Sequence, residues 1–256
     1  MAICFGCMKI YQLSQIGGFH VNHNEDAQTT AEIDENVLII AVADGCSAGK
    51  ESHFASTLLV KIIRKIAKEI GYRDFVERRN KTIAEYLEEV MRRLFQDFGD
   101  LKNRLHLETE EVLSTLLLGV IDKQKQAAEI IVISDGLVCC NENFYEFEQD
   151  DKPDYLGYHL TENFDDWFKC QSQKLSFTNI KDLSISTDGI FTFRNFDGEK
   201  YEDITEQETI IYLLLNQDFT DNEKMLHKKT AEIATDFGLK PSDDLSIIRI
   251  TFQRKA

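Results

Sequence analysis

Acidic residues followed by glycine stand at the ends of three apolar segments, at Asp44-Gly45, Asp135-Gly136 and Asp188-Gly189. Two further acidic pairs, Glu25-Asp26 and Asp243-Asp244, lie beside predicted strands. An Asp-Gly pair after a strand is ordinarily a turn, because glycine adopts positive φ and aspartate bonds to nearby backbone. Each pair alone is explained as a turn, whereas several acids flanking apolar strands also fit a second explanation.

That second explanation is a site for hard divalent cations. If the strands lie side by side, these carboxylates gather at one edge of the sheets and raise one another's pKa values. Bound cations remove this repulsion, and an oxygen-only set of ligands favours Mg²⁺ or Mn²⁺ over zinc. A glycine after the aspartate also lets a backbone carbonyl approach the ion. Spacing in the sequence does not by itself establish convergence, so both explanations stay open.

Five short apolar runs rich in β-branched residues predict strands at 37–43, 116–121, 129–133, 183–187 and 245–250. The run at 183–187 alternates strictly between apolar and polar residues, which predicts a strand with one covered face. Apolar residues at helical spacing predict helices at 54–70, 83–105, about 206–216, about 223–237 and, as a short amphipathic helix, 164–168.

The order of these elements predicts an α+β fold. Two helices follow one another directly, several strands come next, and two more helices precede the last strand. This order lacks the regular βαβ alternation of a doubly wound parallel sheet and favours mostly antiparallel sheets with helices outside. The chain has only two prolines and no Gly/Ser-rich stretch, so we expect residues 1–256 to form one domain.

Composition limits which kinds of binding partner and which cellular compartment we expect for the protein. With 29 basic and 45 acidic residues the net charge is −16, which argues against nucleic-acid and anionic-membrane partners. Residues 1–9 do not resemble a signal peptide, and six cysteines are few for a disulfide scaffold, so we expect reduced thiols and a cytoplasmic location. The lone Cys4-x-x-Cys7 lacks a second pair and is a weak candidate for a metal or redox site.

Six short motifs, taken in order, resemble the protein phosphatase 2C family of metal-dependent Ser/Thr phosphatases, in its bacterial-type branch. They are 24–27, 42–45, 114–117, 134–136, 186–189 and 242–246, and the resemblance spans about residues 10–251. It implies an αββα sandwich of two mostly antiparallel β-sheets flanked by helix pairs. It also implies a flap-like segment at about 139–176 beside the site.

The resemblance implies two Mn²⁺ or Mg²⁺ ions bridged by Asp44, with the Gly45 carbonyl completing one coordination shell. Asp188 and Asp243 correspond to the other direct ligands. On this basis Asp44 and Asp188 are expected to be essential for catalysis.

Three more acids correspond to outer parts of the same site. Glu25 and Asp26 match an acidic pair that binds one ion directly and holds metal-bound waters. Asp135 matches a position that helps to hold a third, weaker ion.

The chain departs from the family pattern in three places. Where most members carry a phosphate-binding Arg it has Val21, beside His20. His20 is therefore expected either to contact phosphate or protonate the leaving group, or to be an ordinary packed or surface residue. Cys46 follows Asp44-Gly45 where eukaryotic members place a His proposed as general acid, so a metal-bound water would serve instead. Asp244 stands where an Asn is usual.

The expected function is hydrolysis of phosphoserine or phosphothreonine in a phosphorylated protein or peptide. The resemblance implies attack by a water or hydroxide that bridges two divalent ions, without a covalent phosphoenzyme. An aspartyl-phosphate mechanism is disfavoured because Asp44-Gly45-Cys46 lacks a second Asp. The alternative is a catalytically degenerate module that binds metal or a phosphoprotein and regulates a partner. The missing Arg favours that alternative, and the retained Asp44, Asp188 and Asp243 argue against it.

Overall fold

The computed structural model describes residues 8–47, 49, 51–149, 153–199 and 203–252. Cys4-x-x-Cys7 lies outside these residues. The described strands are β1 (Met8–Gln15), β2 (Asp26–Glu32), β3 (Val37–Asp44), β4 (Leu116–Asp122), β5 (Ala127–Ile133), β6 (Gly136–Cys140), β7 (Asn143–Phe147), β8 (Lys174–Phe177), β9 (Asp182–Ser186), β10 (Phe193–Asn195), β11 (Leu239–Pro241) and β12 (Leu245–Phe252). The described helices are α1 (Ser52–Glu77), α2 (Ile83–Leu105), α3 (Leu156–His159), α4 (Phe164–Cys170), α5 (Glu206–Leu214) and α6 (Met225–Asp236). Short 3-10 turns cover Thr109–Val112 and Asp188–Phe191.

Ten of these strands form two five-stranded antiparallel sheets. The first sheet has the order β1-β12-β9-β6-β7, and the second has the order β2-β3-β4-β5-β8. β10 and β11 form a separate antiparallel pair. The predicted α+β class with mostly antiparallel sheets is confirmed.

Three apolar clusters show the order of the layers. Residues such as Val42 and Leu117 of the second sheet pack against Ile185 and Ile248 of the first sheet, so the two sheets face each other. The outer face of the second sheet packs against α1 and α2. The outer face of the first sheet packs against α5 and α6. This arrangement is the predicted αββα sandwich.

The predicted helices are confirmed, and capping explains where some of them begin. Thr82 accepts a hydrogen bond from the Glu85 N–H, and the Glu85 carboxylate accepts one from the Thr82 N–H. This capping box satisfies backbone donors that the first turn of α2 leaves free. Thr205 and Glu208 repeat the arrangement at α5. Within the described residues, no helix is both long enough and apolar enough to span a membrane.

The prediction that β9 has one covered face is wrong. Leu183 and Ile185 lie between the sheets, yet Ser184 and Ser186 on the opposite side are only 1% and 0% exposed. β9 is the central strand of the first sheet, and the layer of α5 and α6 covers its other face. Alternation of apolar and polar residues therefore does not mean exposure when the polar residues are small serines.

The segment predicted as a flap, 139–176, begins inside the first sheet and ends inside the second. Cys139 and Cys140 are buried in β6, and residues 174–176 lie in β8. Among the described residues of this segment, 148–149 and 153–173 lie outside the strands of both sheets, between β7 and β8, and they contain α3 and α4. Trp167 of α4 is buried against the helices of the second sheet.

Candidate metal centre

Two of the candidate acids face each other across the second sheet. Asp26 is the first residue of β2 and Asp44 is the last residue of β3, and the strand register pairs them directly. Like charges opposite each other on adjacent strands are destabilising. The register thus creates an electrostatic cost at the end of the strands where Asp-Gly pairs also lie.

The first sheet brings two more acids to the same place. Asp188 opens the 3-10 turn after β9, and Asp243 comes two residues before β12. β9 and β12 are adjacent, and the Thr187 N–H donates to the Ser246 carbonyl at 3.1 Å. Asp188 and Asp243 therefore lie at the same end of the antiparallel pair formed by β9 and β12.

A hydrogen bond joins the two sheets at this point. The Thr187 hydroxyl of the first sheet donates to Asp26 Oδ2 of the second sheet at 2.6 Å. Asp26 Oδ1 is also buried, and within the part of the chain that is described no N–H or hydroxyl group donates a hydrogen bond to it. A buried carboxylate oxygen without a donor is costly unless another group compensates it.

Close backbone approaches explain two of the glycines that follow the acids. A Cβ on Gly45 would lie 1.9 Å from the Ser52 carbonyl oxygen, and one on Gly189 would lie 1.8 Å from the Asp244 carbonyl oxygen. Only glycine fits at such distances. The two Asp-Gly pairs thus lock separate segments together around the acids, and their role exceeds that of ordinary turns.

The pKa values of the acids show that their charges act on one another. Burial raises the pKa of Asp44 well above its ordinary value, and the charges of Asp26, Asp188 and Asp243 raise it further. Burial also raises the pKa of Asp26 to about 7, and the Asp188 charge adds to this. Burial together with the Asp243 and Asp135 charges raises the pKa of Asp188 to about 6. Asp26, Asp44 and Asp188 are therefore close enough to one another, and to Asp135 and Asp243, for their charges to raise one another's pKa values.

Asp135 and Glu25 lie at the margin of this group. Asp135 occupies the turn from β5 to β6, where Ser134 and Gly136 have φ values of 70° and 148°. Its Oδ1 accepts a hydrogen bond from the Gln149 N–H at 2.7 Å. The Glu25 carboxylate accepts hydrogen bonds from the hydroxyls of Ser47, at 2.9 Å, and Ser52.

His20 lies beside the acids, in the loop between β1 and β2. Its Nδ1 is 2.8 Å from Asp244 Oδ2, and its Nε2 is 3.6 Å from Asp243 Oδ1. Burial lowers the pKa of His20, but the hydrogen bond and charge of Asp244 outweigh that effect and raise it overall. Val21, at the position where an Arg was expected from the family pattern, is 88% exposed.

Asp244 holds the loop between β1 and β2 at three points, a role that the sequence did not predict. Its buried carboxylate accepts hydrogen bonds from the Gly17 N–H, at 2.6 Å, and from the Glu25 N–H, in addition to the contact with His20. The adjacency to Asp243 was the available clue. Thr187 was also missed, although it directly precedes Asp188.

The chemistry of these residues fits a hard divalent cation. The donor atoms are carboxylate oxygens whose mutual repulsion a cation would relieve, and Asp26 Oδ1 offers a buried oxygen without a donor. Among the described residues, however, no group of three or more His, Cys, Asp or Glu side chains is arranged to hold a metal ion. The cluster therefore has the composition of a metal site, and its side chains do not enclose one common point.

Comparison with known proteins agrees with this composition. A family model described as Protein phosphatase 2C matches residues 21–228. A comparison with curated proteins finds no match.

Solved structures of bacterial phosphatases share the fold. The serine/threonine phosphatase Stp1 from Staphylococcus aureus has a TM-score of 0.62 at 12% identity, over 99% of this chain and 99% of that one. The S. agalactiae serine/threonine phosphatase has a TM-score of 0.60 at 11% identity, over 96% of this chain and 100% of that one. A structure of the phosphatase domain and a regulatory fragment of SpoIIE from Bacillus subtilis has a TM-score of 0.60 at 13% identity. That match covers 98% of this chain, which spans only 65% of the SpoIIE chain.

Proposed function

The chain belongs to the protein phosphatase 2C family and is a protein serine/threonine phosphatase, and from this premise we propose a metal-dependent reaction at the carboxylate cluster. The substrate is a phosphorylated protein or peptide, and the bond hydrolysed is the phosphate ester of serine or threonine. The proposed cofactor is Mn²⁺ or Mg²⁺, as two tightly held ions and a weaker third.

The observation that carries the proposal is a set of buried acids that the protein itself does not neutralise. Within the described residues, no lysine or arginine forms an ion pair with Asp26, Asp44 or Asp188. Structural carboxylates in protein interiors are normally paired with a cation or with several donors. A cluster of acids that lacks such partners is better explained as a place for external cations.

The direct ligands would be Asp44, the Gly45 carbonyl, Asp188 and Asp243. Glu25 and Asp26 would bind one ion and hold its waters, and Asp135 would hold a weaker third ion. Divalent ions, when bound, would supply a lowered pKa for an attacking water and neutralisation of charge on the phosphoryl oxygens. The hydrogen bond from Thr187 to Asp26 and the close approaches at Gly45 and Gly189 keep these residues in register.

His20 would contact the phosphoryl group or donate a proton to the leaving oxygen. Asp244 holds Nδ1 of its ring, which leaves Nε2 as the nitrogen available to a substrate. Replacement His20→Ala tests this role, because unchanged kinetics with a phosphopeptide would exclude it.

We include a cytoplasmic location, a role in phosphoprotein signalling and a single catalytic domain over 1–256 in the same proposal. Free thiols at Cys46, Cys139, Cys140 and Cys170 support a reducing compartment. The flap-like segment, at about 139–176, would border the substrate site. The alternative is a degenerate module that binds metal or a phosphoprotein without hydrolysing it. It is supported by Val21, which stands where most family members carry a phosphate-binding Arg.

Release of phosphate from a phosphothreonine peptide tests the proposal. We expect turnover with Mn²⁺, its loss with a chelator, and a decrease of about 100-fold or more for Asp44→Asn or Asp188→Asn, since each removes a ligand worth several kcal/mol in the transition state. Asp97→Asn is the matched control, because Asp97 pairs with Lys65 on the helix surface, at 3.1 Å, and should leave activity unchanged.

Mn²⁺ binding without turnover would support the regulatory module instead. Turnover that is indifferent to the chelator, or to Asp44→Asn and Asp188→Asn, would contradict the proposed mechanism.

A further inference from the structure

Two positively charged residues face each other on the short antiparallel pair formed by β10 and β11. The strand register pairs Arg194 directly with Lys240, so the two side chains lie on the same face of this pair. Both residues are exposed, and like charges directly opposite each other are destabilising. Among the described residues, no carboxylate forms an ion pair with either cation. In a chain with a net charge of −16, this arrangement favours an anionic partner from outside.

The β10–β11 pair lies next to the candidate metal centre. Lys240 comes three residues before Asp243, and a chain spans at most about 3.6 Å per residue, so their Cα atoms lie within about 11 Å of each other. The Asp243 N–H donates to Thr192 Oγ1 at 3.1 Å, and Arg194 is two residues beyond Thr192. Both cations are therefore close to the acids at which the substrate phosphate is proposed to bind.

The loop between β1 and β2 is joined to the same strand pair. The Gly18 N–H donates to the Pro241 carbonyl, and the Phe19 N–H donates to the Ser242 carbonyl, each at 2.9 Å. Phe19 directly precedes His20, whose ring lies beside the acids. The loop thus links the β10–β11 pair to the His20 side of the metal centre.

Two exposed aromatic rings accompany the cations. The ring centroids of Phe19 and Phe196 are 5.6 Å apart in an edge-to-face arrangement, and the side chains are 63% and 43% exposed. A Cβ on Gly18 would lie 2.4 Å from the Phe196 ring, so the loop backbone packs directly on that ring. The Arg194 guanidinium carbon lies over the Phe19 ring, 5.1 Å from its centroid.

This stacking leaves the guanidinium ready for an anion. A guanidinium that stacks on an aromatic face keeps the N–H groups of its edge free, and their planar fork matches the two oxygens of a carboxylate. Because the Phe19 ring helps to hold the side chain in place, less conformational entropy is lost when Arg194 binds a partner.

We propose that Arg194 and Lys240 are specificity residues for the phosphopeptide substrate, and that they bind an acidic side chain about three residues away from the phosphorylated residue. This inference rests on the proposed function, because it places the phosphoryl group at the carboxylate cluster. An extended peptide advances about 3.3 Å per residue, so three residues cover about 10 Å. A carboxylate at that place would relieve the repulsion between the cations and accept charge-assisted hydrogen bonds from them.

The test uses three phosphothreonine peptides of equal length. One peptide has glutamate three residues before the phosphothreonine, one has glutamate three residues after it, and the third has glutamine at both positions. With Mn²⁺, we expect the wild type to hydrolyse one of the acidic peptides with a kcat/KM about fivefold or more above that of the neutral peptide. Higher ionic strength should reduce this preference, because the cations are exposed.

The variant that tests the two cations carries Arg194→Gln together with Lys240→Gln. We expect it to hydrolyse acidic and neutral peptides equally, and to keep the kcat/KM for the neutral peptide within about twofold of the wild type. Each single replacement should reduce the preference in part. Lys125→Gln is the matched control for a lost positive charge and should keep the full preference. Lys125 lies in the turn after β4, whose end pairs with the beginning of β3, far from Asp44.

The outcomes separate this inference from the proposed function. Peptides with a non-hydrolysable phosphonate, bound in Mn²⁺ and followed by fluorescence anisotropy, report binding without turnover. If the wild type hydrolyses the three peptides equally, or if the double variant keeps the preference, the inference is overturned and the proposed function stands. An equal loss of kcat/KM with all three peptides would mean that the cations bind the phosphoryl group itself, which also overturns the inference.

The converse result is equally distinct. If the wild type turns over no peptide but binds an acidic phosphonate peptide more tightly than the neutral one, and the double variant loses that difference, the inference stands and the proposed function fails. A wild type that neither hydrolyses nor binds any of the peptides would overturn both.

Discussion

The aspartates at the two ends of strand β9 have opposite electrostatic surroundings. Asp182 at the beginning of β9 pairs with Arg249 of the neighbouring strand β12, with Arg249 Nη2 2.6 Å from Asp182 Oδ2 and Nε 3.0 Å from Oδ1. Asp188, which directly follows Thr187 at the other end, has carboxylates as its electrostatic neighbours, and its pKa is raised to about 6 by burial and by their charges.

The contrast shows what a structural acid requires in this fold. Arg249 is fully buried and also donates to the carbonyls of Leu213, Leu215 and Asn216, so it stabilises the C-terminal end of α5 as well as Asp182. The protein thus supplies a cation where the acid has a structural role. At the Asp188 end it supplies further acids, which is consistent with a site kept for cations from solution.

The largest change in stability is expected from removing Arg249, the cation that pairs with Asp182 at the beginning of β9. Arg249→Met would leave Asp182 without its cation and would remove the hydrogen bonds that Arg249 donates to the three carbonyls. We expect a loss of about 3–5 kcal/mol in the free energy of unfolding, the usual cost of breaking a buried pair. Urea unfolding followed by circular dichroism measures it.

Lys125→Met is the control for that variant. The Lys125 ammonium is 3.1 Å from Asp122 Oδ2, but its side chain is 78% exposed, so a change below about 0.5 kcal/mol is expected. Equal losses for the two variants would mean that burial of the pair does not distinguish the Asp182 end.

Glu89 is a second acid that is paired with cations, and its contribution to stability should depend on pH. Glu89 of α2 accepts hydrogen bonds from Arg73 and Lys81. Burial raises its pKa, but these two cations outweigh burial and lower the pKa from 4.5 to about 2. A carboxylate with a depressed pKa contributes stability above its unfolded pKa, and that contribution is lost as pH falls from about 4.5 towards 2.

Comparing wild type with Glu89→Gln isolates this contribution. Allowing for screening by solvent, we expect the variant to be about 1–2 kcal/mol less stable at pH 7, with the difference disappearing as pH approaches 2. Glu88→Gln, which loses an exposed pair with Arg92, should show little difference at any pH. A Glu89→Gln difference that stays constant from pH 7 to pH 2 would contradict the assignment.

The sequence predicted the fold where apolar periodicity was strong. The buried strands β3, β4, β5 and β12 appear as continuous apolar runs because both faces are covered. β1 and β2 carry polar residues such as Gln12 and Thr30, and they form edge strands that the same criterion does not detect. The serines of β9 show the opposite error, because small polar residues in alternation predict an exposed face although Ser184 and Ser186 are buried.

The acids of the site were predictable, and their supporting residues were not. Asp44 and Asp188 are next to glycines at strand ends, which is visible in sequence. Asp244 gains its role from the backbone N–H groups of Gly17 and Glu25 and from the His20 ring, which the fold brings to it from more than 200 residues away.

Binding of Mn²⁺ to Asp188→Asn and Asp182→Asn, measured by titration calorimetry beside the wild type, tests the central claim most directly. Asp182→Asn is a fair control, because Arg249 keeps its three carbonyl acceptors in that variant. We expect wild-type affinity for Asp182→Asn and a loss of about tenfold or more for Asp188→Asn, since a carboxylate ligand is replaced by a neutral amide. Equal Mn²⁺ affinity of Asp188→Asn and wild type, or no Mn²⁺ binding by the wild type, would contradict the account.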